Sequence, residues 1–492
     1  MTQARGRVGW LLFLFFQALY ALTSSGNAFR VPDEFEVYYQ AEHLVDAGDL
    51  SVPQTLPRQQ FFGRFGLDGK PYAPYGPLAA VLTLPHHLAA RSVAAIAQIP
   101  RDSVTWGFVV SGLTMLSTAT AAALTVAGFY RAASLLGASS SIALLLSMLL
   151  GGASVLWTYG TTLYSEAWQA AAFIWAAVCL LERRIAPAAI LLLAAALTKA
   201  TSLVFTPGFV VAVLVDRSTP GPARVRAALA LTAAIVAAAG LHLAWNTFRF
   251  GNAFEMGYNW AETVPIMPAR AFRLADLPRG LGVLLFAPGK SLLLWAPPLW
   301  LALSRMHQWR HPVVAGSLTC AALGLFFYGA YLFPEGGYAH GPRHLVPIVP
   351  LLLLPAALGR PAWSRGFIVT CGALGLVIAL LSVSVSFLQD QALGTTFTRT
   401  GYYERIVPAP GRAWNRYRFD YVPFSRTLAS GDWPRSAMVG LGVDVFPLHL
   451  AQAKAAIPDA RIIPSWLIWT LPALWTVVLL ASGVGLWKAR GV

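Results

Sequence analysis

The sequence has few charged residues and almost no cysteine. Only 12% of its 492 residues are charged, whereas 57% are hydrophobic, and the mean hydropathy is +0.58. Apolar runs recur that are long enough to cross about 30 Å of hydrocarbon at about 1.5 Å per residue. The composition therefore predicts a protein that crosses a membrane several times.

The three cysteines are too few and too irregularly placed to predict a disulfide framework or a metal site. Cys179, Cys320 and Cys371 all fall inside predicted spans without paired spacing, so we interpret them as small apolar core residues. No GxxxxGK[ST] phosphate loop occurs. The first apolar run, near residues 8–25, lacks a small-residue cleavage site, so we expect a retained anchor and not a signal peptide.

Lysine is scarce, with only five in the chain, so the net charge of +15 comes mainly from arginine. In a membrane protein such an excess indicates topology and contact with anionic lipid before it indicates nucleic acid. We therefore expect membrane lipids, and no nucleic acid, among the partners.

We predict an all-α polytopic membrane protein with about twelve transmembrane helices and long external loops that carry short interfacial helices. The predicted spans lie near residues 8–25, 106–130, 139–160, 164–182, 186–199, 201–215, 227–248, 280–304, 312–333, 343–359, 366–388 and 466–487.

Basic residues mark one side of this predicted bundle. In the short connections after alternate spans they are Arg131, Arg183, Arg184, Arg217, Arg224, Arg226, Arg305, Arg310, Arg360, Arg365, Lys488 and Arg490. The positive-inside rule makes this side cytoplasmic. We therefore expect a plasma-membrane protein with both termini in the cytoplasm. The side on which every later loop lies depends on whether residues 186–215 cross the membrane once or twice. We interpret them as two short helices, because one long helix would move Arg217, Arg224 and Arg226 outside and Lys199 into hydrocarbon.

Three long segments then lie outside the membrane, at residues 26–105, 249–279 and 389–465. The first contains a predicted short helix from Asp33 to Ala47, stopped by Gly48, and an apolar run from Leu78 to Leu84 that we expect to lie in the interface. We divide the chain into a transmembrane core, 1–388, an external loop region rich in arginine and aromatics, 389–465, and a last helix with a cytoplasmic tail, 466–492. The loop region suits an anionic lipid or carbohydrate surface, or forms a solvated cap.

Three carboxylates, Asp33, Glu34 and Glu36, stand within four residues where the chain leaves the first predicted span. Pro32 ahead of them indicates a helix start, so the acids could simply complement the helix dipole. However, ionisable groups at a membrane face are costly to keep, and an enzyme acting on a lipid-borne substrate would hold its base there. We favour the functional interpretation and predict Asp33 as a weak base, sufficient where bond breaking runs ahead of proton removal.

Cations lie in breaks marked by glycine and proline. Lys70 stands in DGKPYAPYGP, Lys290 in FAPGKSLLLWAPP and Arg343 in YAHGPRHLVP. Such breaks free backbone groups to line a cavity, where cations would bind a phosphate or pyrophosphate leaving group. The alternative is that these side chains reach out to lipid headgroups.

Other polar residues join this prediction. His340 and His344 flank Arg343, and Glu166 in LYSEAWQ either faces the same cavity or favourably charges a helix start. His86 and His87 lack partners at the spacing of a zinc site. We assign no metal and no cofactor, although a divalent ion bridging a carboxylate and a phosphate is compatible with the sequence.

The order of these motifs resembles that of the C-type integral-membrane glycosyltransferases, which include aminoarabinose transferases and protein O-mannosyltransferases. The resemblance covers about residues 8–390. It rests on Pro32-Asp33-Glu34 after the first span, KPYAPYGP around Lys70, LYSEAW around Glu166, ALTK ending at Lys199, and HGPRHLVPIVP around Arg343.

The resemblance implies an inverting transfer of a sugar from a polyprenyl phosphate. It implies Asp33 as the base, Glu34 as its catalytic neighbour, and Lys70 with Arg343 as phosphate partners. The predicted substrate-binding residues are Lys70, Tyr75, Glu166, Lys199, Lys290, His340, Arg343 and His344. Because no soluble carbohydrate-binding domain is recognisable near the C-terminus, we expect a lipid or glycan acceptor.

Two other functions remain open. A transporter or flippase of lipid-linked glycans would also be basic and polytopic, although such proteins commonly show two related halves, which we do not see. A glycan polymerase or ligase would share the substrate chemistry, but would depend on arginine and histidine of a late external loop more than on Asp33.

Overall fold

The computed structural model describes residues 2–24, 31–57, 61–258, 271–287, 289–331, 333, 334, 336, 339–359, 363–384 and 462–489. This part of the chain is mainly helical and contains almost no sheet, as predicted. Nearly all of the predicted loop region 389–465 lies outside the described residues, and the division into three regions stays a prediction.

The first nine helices are α1 (Thr2–Leu22), α2 (Pro32–Ala47), α3 (Pro77–Ile96), α4 (Val104–Thr114), α5 (Leu116–Leu135), α6 (Ser140–Gly152), α7 (Leu156–Gly160), α8 (Glu166–Leu181) and α9 (Ile185–Thr198). The others are α10 (Pro207–Val215), α11 (Gly221–Phe250), α12 (Leu277–Phe286), α13 (Leu292–Trp295), α14 (Leu299–Leu303), α15 (Pro312–Gly329), α16 (Val349–Leu353), α17 (Arg365–Ser384) and α18 (Ser465–Ala489). Short 3-10 turns cover Pro53–Thr55, Ala200–Val204, Leu274–Asp276, Met306–Gln308, Arg343–Ile348 and Leu354–Ala357. Strands β1 (Arg64–Phe65) and β2 (Pro71–Tyr72) pair antiparallel, with Arg64 opposite Tyr72.

Five helical segments within the described residues are long and apolar enough to cross a membrane. They are Val104–Leu135, Gly221–Phe250, Pro312–Gly329, Arg365–Val383 and Ser465–Ala489. The first is 89% buried in its most apolar window and forms the centre of the bundle, whereas the last is only 17% buried. Apolar side chains on the outside of α11 and α18, such as Val236 and Trp469, are about two-thirds exposed. This distribution is consistent with an all-α membrane protein, and the number of twelve spans stays a prediction.

Several predicted spans are broken helices. Residues 280–304, predicted as one span, form α12, α13 and α14, separated by breaks at 287–291 and 296–298. Pro297 and Pro298 have no N–H to donate, which explains the second break. The span predicted at 343–359 consists of two 3-10 turns around α16, and contains Pro347, Pro350 and Pro355. Each of these segments, counted as one span in the prediction, is therefore interrupted, and the first is interrupted within the Gly/Pro-marked stretch that contains Lys290.

Residues 186–215 form two helices, α9 and α10, with a break at Lys199. The backbone of Lys199 is extended, with φ −154° and ψ 123°. Arg183, just before α9, forms an ion pair with Asp216, just after α10. The chain therefore runs out along α9 and returns to the same end of the bundle.

Helix α2 begins and ends where the sequence predicts. Pro32 is its first residue, and Gly48 ends it in the left-handed region with φ +79°. The apolar run at 78–84 is the first part of the 20-residue helix α3, which packs against α2 and α4, and its interfacial position stays a prediction. This packing holds α2 firmly against the bundle.

The close crossing of α12 and α15 provides a test of the packing. A Cβ at Gly280 would lie 2.0 Å from the carbonyl oxygen of Gly329, whereas a Cβ at Gly282 would meet nothing within 4 Å. We expect Gly280→Ala to reduce the free energy of unfolding by about 1–3 kcal/mol or more, because the helices must separate. Gly282→Ala is the matched control and should be neutral or slightly stabilising. Thermal unfolding of both variants in detergent measures the difference, and equal melting temperatures would contradict this crossing.

Candidate functional site

Four ionisable side chains from distant parts of the chain meet in one network. The Nε of Arg343 donates to Oε1 of Glu166 at 2.9 Å, and the Nζ of Lys199 donates to the same oxygen at 2.7 Å. The Nη2 of Arg343 donates to Oδ1 of Asp33. Two carboxylates and two cations thus form a chain from Lys199 to Asp33, which we call the acid–base network.

Exposure differs sharply along the acid–base network. The side chain of Glu166 is 1% exposed and that of Arg343 is 6% exposed, whereas Lys199 is 14% and Asp33 is 28% exposed. Charges this deeply buried persist only when they are paired, since removing either partner leaves an uncompensated ion. Asp33 is therefore the group of the network that is most available to a second molecule.

Helix ends place these residues. Asp33 lies in the first turn of α2, and Glu166 is the first residue of α8. Both carboxylates therefore benefit from the positive end of a helix dipole. Lys199 stands at the break after α9, and Arg343 begins a 3-10 turn. The segments that meet in the acid–base network are thus those in which the sequence marks the end of a helix.

Two glycines shape the segment that carries Arg343. Gly341 has φ +62°, and a Cβ there would come within 2.8 Å of the Trp295 ring. Gly336, with φ +80°, accepts a long 3.5 Å hydrogen bond from Nη1 of Arg343 through its carbonyl. The guanidinium also lies 4.0 Å from the centre of the Tyr164 ring, a cation–π contact. Backbone, ring and carboxylates together hold the orientation of Arg343.

The two predicted histidines pack beside Arg343 through their rings. His344 stacks on Tyr328 at 4.3 Å with an interplanar angle of 5°, and His340 stacks on Trp295 at 5.9 Å. The carbonyl of His340 accepts a hydrogen bond from Tyr159 Oη at 2.9 Å. These contacts position the 340–344 segment, and binding of substrate by either imidazole stays a prediction.

Glu34, predicted as the catalytic neighbour of Asp33, is completely buried. Its Oε1 accepts a hydrogen bond from the backbone N–H of Leu163 at 3.1 Å. This bond ties the start of α2 to the turn that precedes Glu166. The structure thus gives Glu34 an anchoring contact, while a part in catalysis stays a prediction.

Lys70 lies apart from the acid–base network. Its Nζ forms a 2.8 Å ion pair with Asp49, and the lysine side chain is 49% exposed. Asp33 lies in the first turn of the 16-residue helix α2, and Asp49 follows its C-cap Gly48, so the length of the helix, about 24 Å, lies between them. The structure thus pairs Lys70 with Asp49 and not with a member of the acid–base network, while its role as a phosphate partner stays a prediction.

Lys290 and Tyr75 lie closer to the network. The Nζ of Lys290 donates to the carbonyl of Ala339 in the segment that leads to Arg343. Tyr75 is buried, and this burial, together with the nearby charges of Asp33 and Glu36, raises the pKa of its hydroxyl. A phenol in this place is a neutral hydrogen-bonding group.

Glu36 is a buried acid to which the sequence pattern assigns no role of its own. It lies three residues after Asp33, hence on the same face of α2, and is completely buried. Its Oε1 accepts a hydrogen bond from Phe62 N–H at 2.9 Å, and the backbone N–H of Gly63 also interacts with the carboxyl group. Burial raises the pKa of Glu36 to about 8, and the neighbouring charge of Asp33 adds to this. Glu36 is therefore protonated at neutral pH. In the sequence, only its spacing of three residues from Asp33 indicates that it lies near the site.

Asp33 behaves in the opposite way. Burial raises its pKa, but the positive charge of Arg343 and the hydrogen bond from its guanidinium lower it by more, so the net pKa lies below the ordinary value. Asp33 is therefore ionised at neutral pH. Within the described residues, no group of three or more His, Cys, Asp or Glu side chains is arranged to hold a metal ion.

Comparison with known proteins finds similarity to solved structures of one enzyme, at low sequence identity. No family model matches the chain, and no curated protein matches it. Two crystal structures of the oligosaccharyltransferase of Archaeoglobus fulgidus are similar, one in the apo form and one tethered to an acceptor peptide containing the NVT sequon. The TM-scores are 0.44 and 0.43, with 11% and 12% identity over 81% and 84% of this chain. The match spans only 59% of the length of that enzyme chain, and similarity at this level does not establish a shared activity.

Within the acid–base network, the stability of the protein should depend most strongly on the buried carboxylate of Glu166. Glu166→Gln leaves Arg343 and Lys199 without their shared anion, so we expect a loss of about 3–5 kcal/mol in the free energy of unfolding. Glu182→Gln is the matched control, because Glu182 pairs with Arg131, which is 40% exposed, and such a pair contributes about 1 kcal/mol or less. Thermal unfolding in detergent compares the two, and similar small losses would contradict the buried network.

Glu36 predicts a specific pH dependence of stability. Between the ordinary glutamate pKa of 4.5 and about 8, the folded chain holds a proton that the unfolded chain releases. The free energy of unfolding should therefore fall as pH rises across this window. Glu36→Gln removes the titration but keeps an acceptor for Phe62, so its melting temperature should fall less between pH 5 and pH 8.5.

The control for this experiment is Asp46→Asn, in the same helix, where the carboxylate is 50% exposed. This variant should follow the parent protein across the pH range. If Glu36→Gln also follows the parent, Glu36 is ionised in the folded state at neutral pH and the assignment is wrong.

Proposed function

We propose that this protein is a membrane glycosyltransferase that moves a sugar from a polyprenyl-phosphate donor to a hydroxyl or amine of a lipid or glycan acceptor, with inversion and with Asp33 as base. The observation that carries the proposal is the contact between Asp33 and Arg343. It joins an accessible carboxylate to a buried guanidinium, and thereby places a proton acceptor beside a group suited to phosphate.

Asp33 suits the role of base because of what surrounds it. It is ionised, partly exposed and held on a helix that packs into the bundle, whereas one oxygen of Glu166 already accepts from two cations. Glu36 is protonated and Glu34 is bonded to the backbone. Of these four carboxylates, Asp33 is thus the one that can receive a proton from an incoming acceptor.

The proposed step balances in atoms and charge. The acceptor oxygen or nitrogen forms a bond to the anomeric carbon as the bond from that carbon to the phosphate oxygen breaks. The electron pair of the broken bond leaves with the phosphate, and the acceptor proton goes to Asp33. One negative charge thereby disappears from Asp33 while one appears on polyprenyl phosphate.

Arg343 can couple these two changes. In the free protein its Nη2 donates to Asp33, and protonation of Asp33 weakens that ion pair. Lys199, and Lys290 on the neighbouring segment, are the cations nearest this contact while the phosphate departs. Once Asp33 has taken up the proton, the guanidinium is released to the polyprenyl phosphate product. Electrostatic stabilisation of the departing phosphate and positioning of the acceptor provide most of the catalysis in this proposal.

A weak base is adequate for this reaction. Arg343 lowers the pKa of Asp33, which reduces its strength as a proton acceptor. In a sugar transfer with oxocarbenium-like character, bond breaking to the leaving group is far advanced before the acceptor loses its proton. Asp33 therefore receives the proton late, when the acceptor has become strongly acidic.

We place the reaction at the external face of the plasma membrane. The arginine-marked ends of the helices, including Arg183 and Arg217, lie away from Asp33 along α8 and α10. With those ends in the cytoplasm, the acid–base network faces the periplasmic side, where a lipid-linked donor provides the energy of transfer. We include no metal in the proposal.

The test follows release of polyprenyl phosphate from synthetic polyprenyl-phosphate sugars by purified protein in detergent. Asp33→Asn keeps the size of the side chain but cannot take the proton, so we expect release to fall by at least about 100-fold. Asp46→Asn on the same helix is the matched control and should retain activity. Elution profiles and melting temperatures show whether each variant is folded.

The outcomes separate the candidate functions. Equal release by the parent and by folded Asp33→Asn would remove Asp33 from the chemistry. Binding of the donor without any release, across several sugars, would favour transport of a lipid-linked glycan over transfer.

A further inference from the structure

A cavity of about 680 Å³ lies at the end of the bundle opposite the acid–base network. Helix α8 begins at Glu166 in the network and ends at Leu181 in the cavity wall, so the two places are separated by about 24 Å of helix. The ends of α8 and α10 and the starts of α11 and α15 surround the cavity. It is therefore distinct from the proposed catalytic site.

The walls of the cavity are apolar. Leu181, Phe209, Val213, Ala227 and Leu351 are among the side chains that line it. The volume lies within the range of about 300–1,000 Å³ that is usual for small-molecule sites. A cavity with these walls suits a hydrocarbon chain better than a sugar, because it offers few hydrogen-bonding groups.

The rim of the cavity, by contrast, is basic. Arg183, Arg217 and Arg310 all belong to the lining. Arg183 donates to Asp216, Ser218 and Thr219 and is therefore already paired. Arg217 and Arg310 have no carboxylate within ion-pair distance among the described residues, and both are exposed. Two uncompensated guanidinium groups thus stand at the entrance of an apolar cavity.

We propose that this cavity binds an anionic phospholipid, with an acyl chain among the apolar walls and the phosphate between Arg217 and Arg310. The charge at the rim selects a negative headgroup, and the walls select the hydrocarbon. Basic pockets between transmembrane helices on the cytoplasmic side bind anionic headgroups in this way. The positive-inside pattern predicts that this end of the bundle is the cytoplasmic one.

The bound lipid has a structural consequence. Residues of α8, α10 and α15 all line the cavity. An acyl chain there would fill the space between these helices and increase the stability of the bundle. Retention of the lipid and thermal stability are therefore two independent readouts.

The experiment uses the full-length protein, purified in detergent, stripped of lipid and offered phosphatidylglycerol or phosphatidylcholine with identical acyl chains. Native mass spectrometry measures retained lipid, and thermal unfolding measures stability. We expect phosphatidylglycerol to be retained and to raise the melting temperature, and phosphatidylcholine to bind roughly tenfold or more weakly, given the effect of each nearby arginine on anionic lipid.

The double variant Arg217→Gln and Arg310→Gln should lose this preference and bind both lipids equally. The matched control, Arg7→Gln and Arg365→Gln, removes the same charge from exposed arginines that do not line the cavity, and should behave like the parent. Ala227→Phe, which fills the cavity, should reduce retention of both lipids.

Unchanged preference in the Arg217 and Arg310 double variant would overturn the proposal, even if Ala227→Phe fails to fold. Equal retention of both lipids by the parent would also overturn it. If polyprenyl phosphate displaces phosphatidylglycerol at equal concentration, the occupant is the carrier lipid and the assignment to a phospholipid is wrong.

Discussion

The carboxylate of Glu166 is the contact on which the site depends. A single buried oxygen accepts hydrogen bonds from Arg343 and Lys199, which come from different segments of the chain. Without this anion, Lys199 would lose its partner and Arg343 would keep only Asp33, so the segments that carry the two cations would no longer be joined. Because Arg343 is held there, its remaining nitrogens can reach Asp33, the accessible end of the network.

Asp33, Glu34 and Glu36 show how environment separates residues of similar chemistry. They lie within one turn of α2, yet one is ionised beside an arginine, one accepts from the Leu163 backbone and one is buried and protonated. These differences follow from the partner and the water that each side chain meets. They allow one short segment to provide an ionised carboxylate, an anchor and a neutral acid.

The two ends of the bundle have opposite electrostatic character. At one end Asp33 and Glu166 balance Arg343 and Lys199, and at the other Arg217 and Arg310, without acidic partners among the described residues, line an apolar cavity. Helix α8 joins them, starting at Glu166 and ending beside Arg183. A sugar donor and a membrane phospholipid would therefore use different ends of one scaffold in the proposals made above.

The sequence alone determined the local features of the chain. Pro32, Gly48 and the break at Lys199 each act through covalent geometry or hydropathy within a few residues, and α2, α9 and α10 begin and end accordingly. It also named Asp33, Glu166, Lys199 and Arg343. Only the tertiary structure decided that these four meet, that Lys70 pairs with Asp49 instead, and that residues 280–304 form three helices. Such contacts depend on how helices cross and on which charges lose water together, and neither quantity is encoded in spacing along one chain.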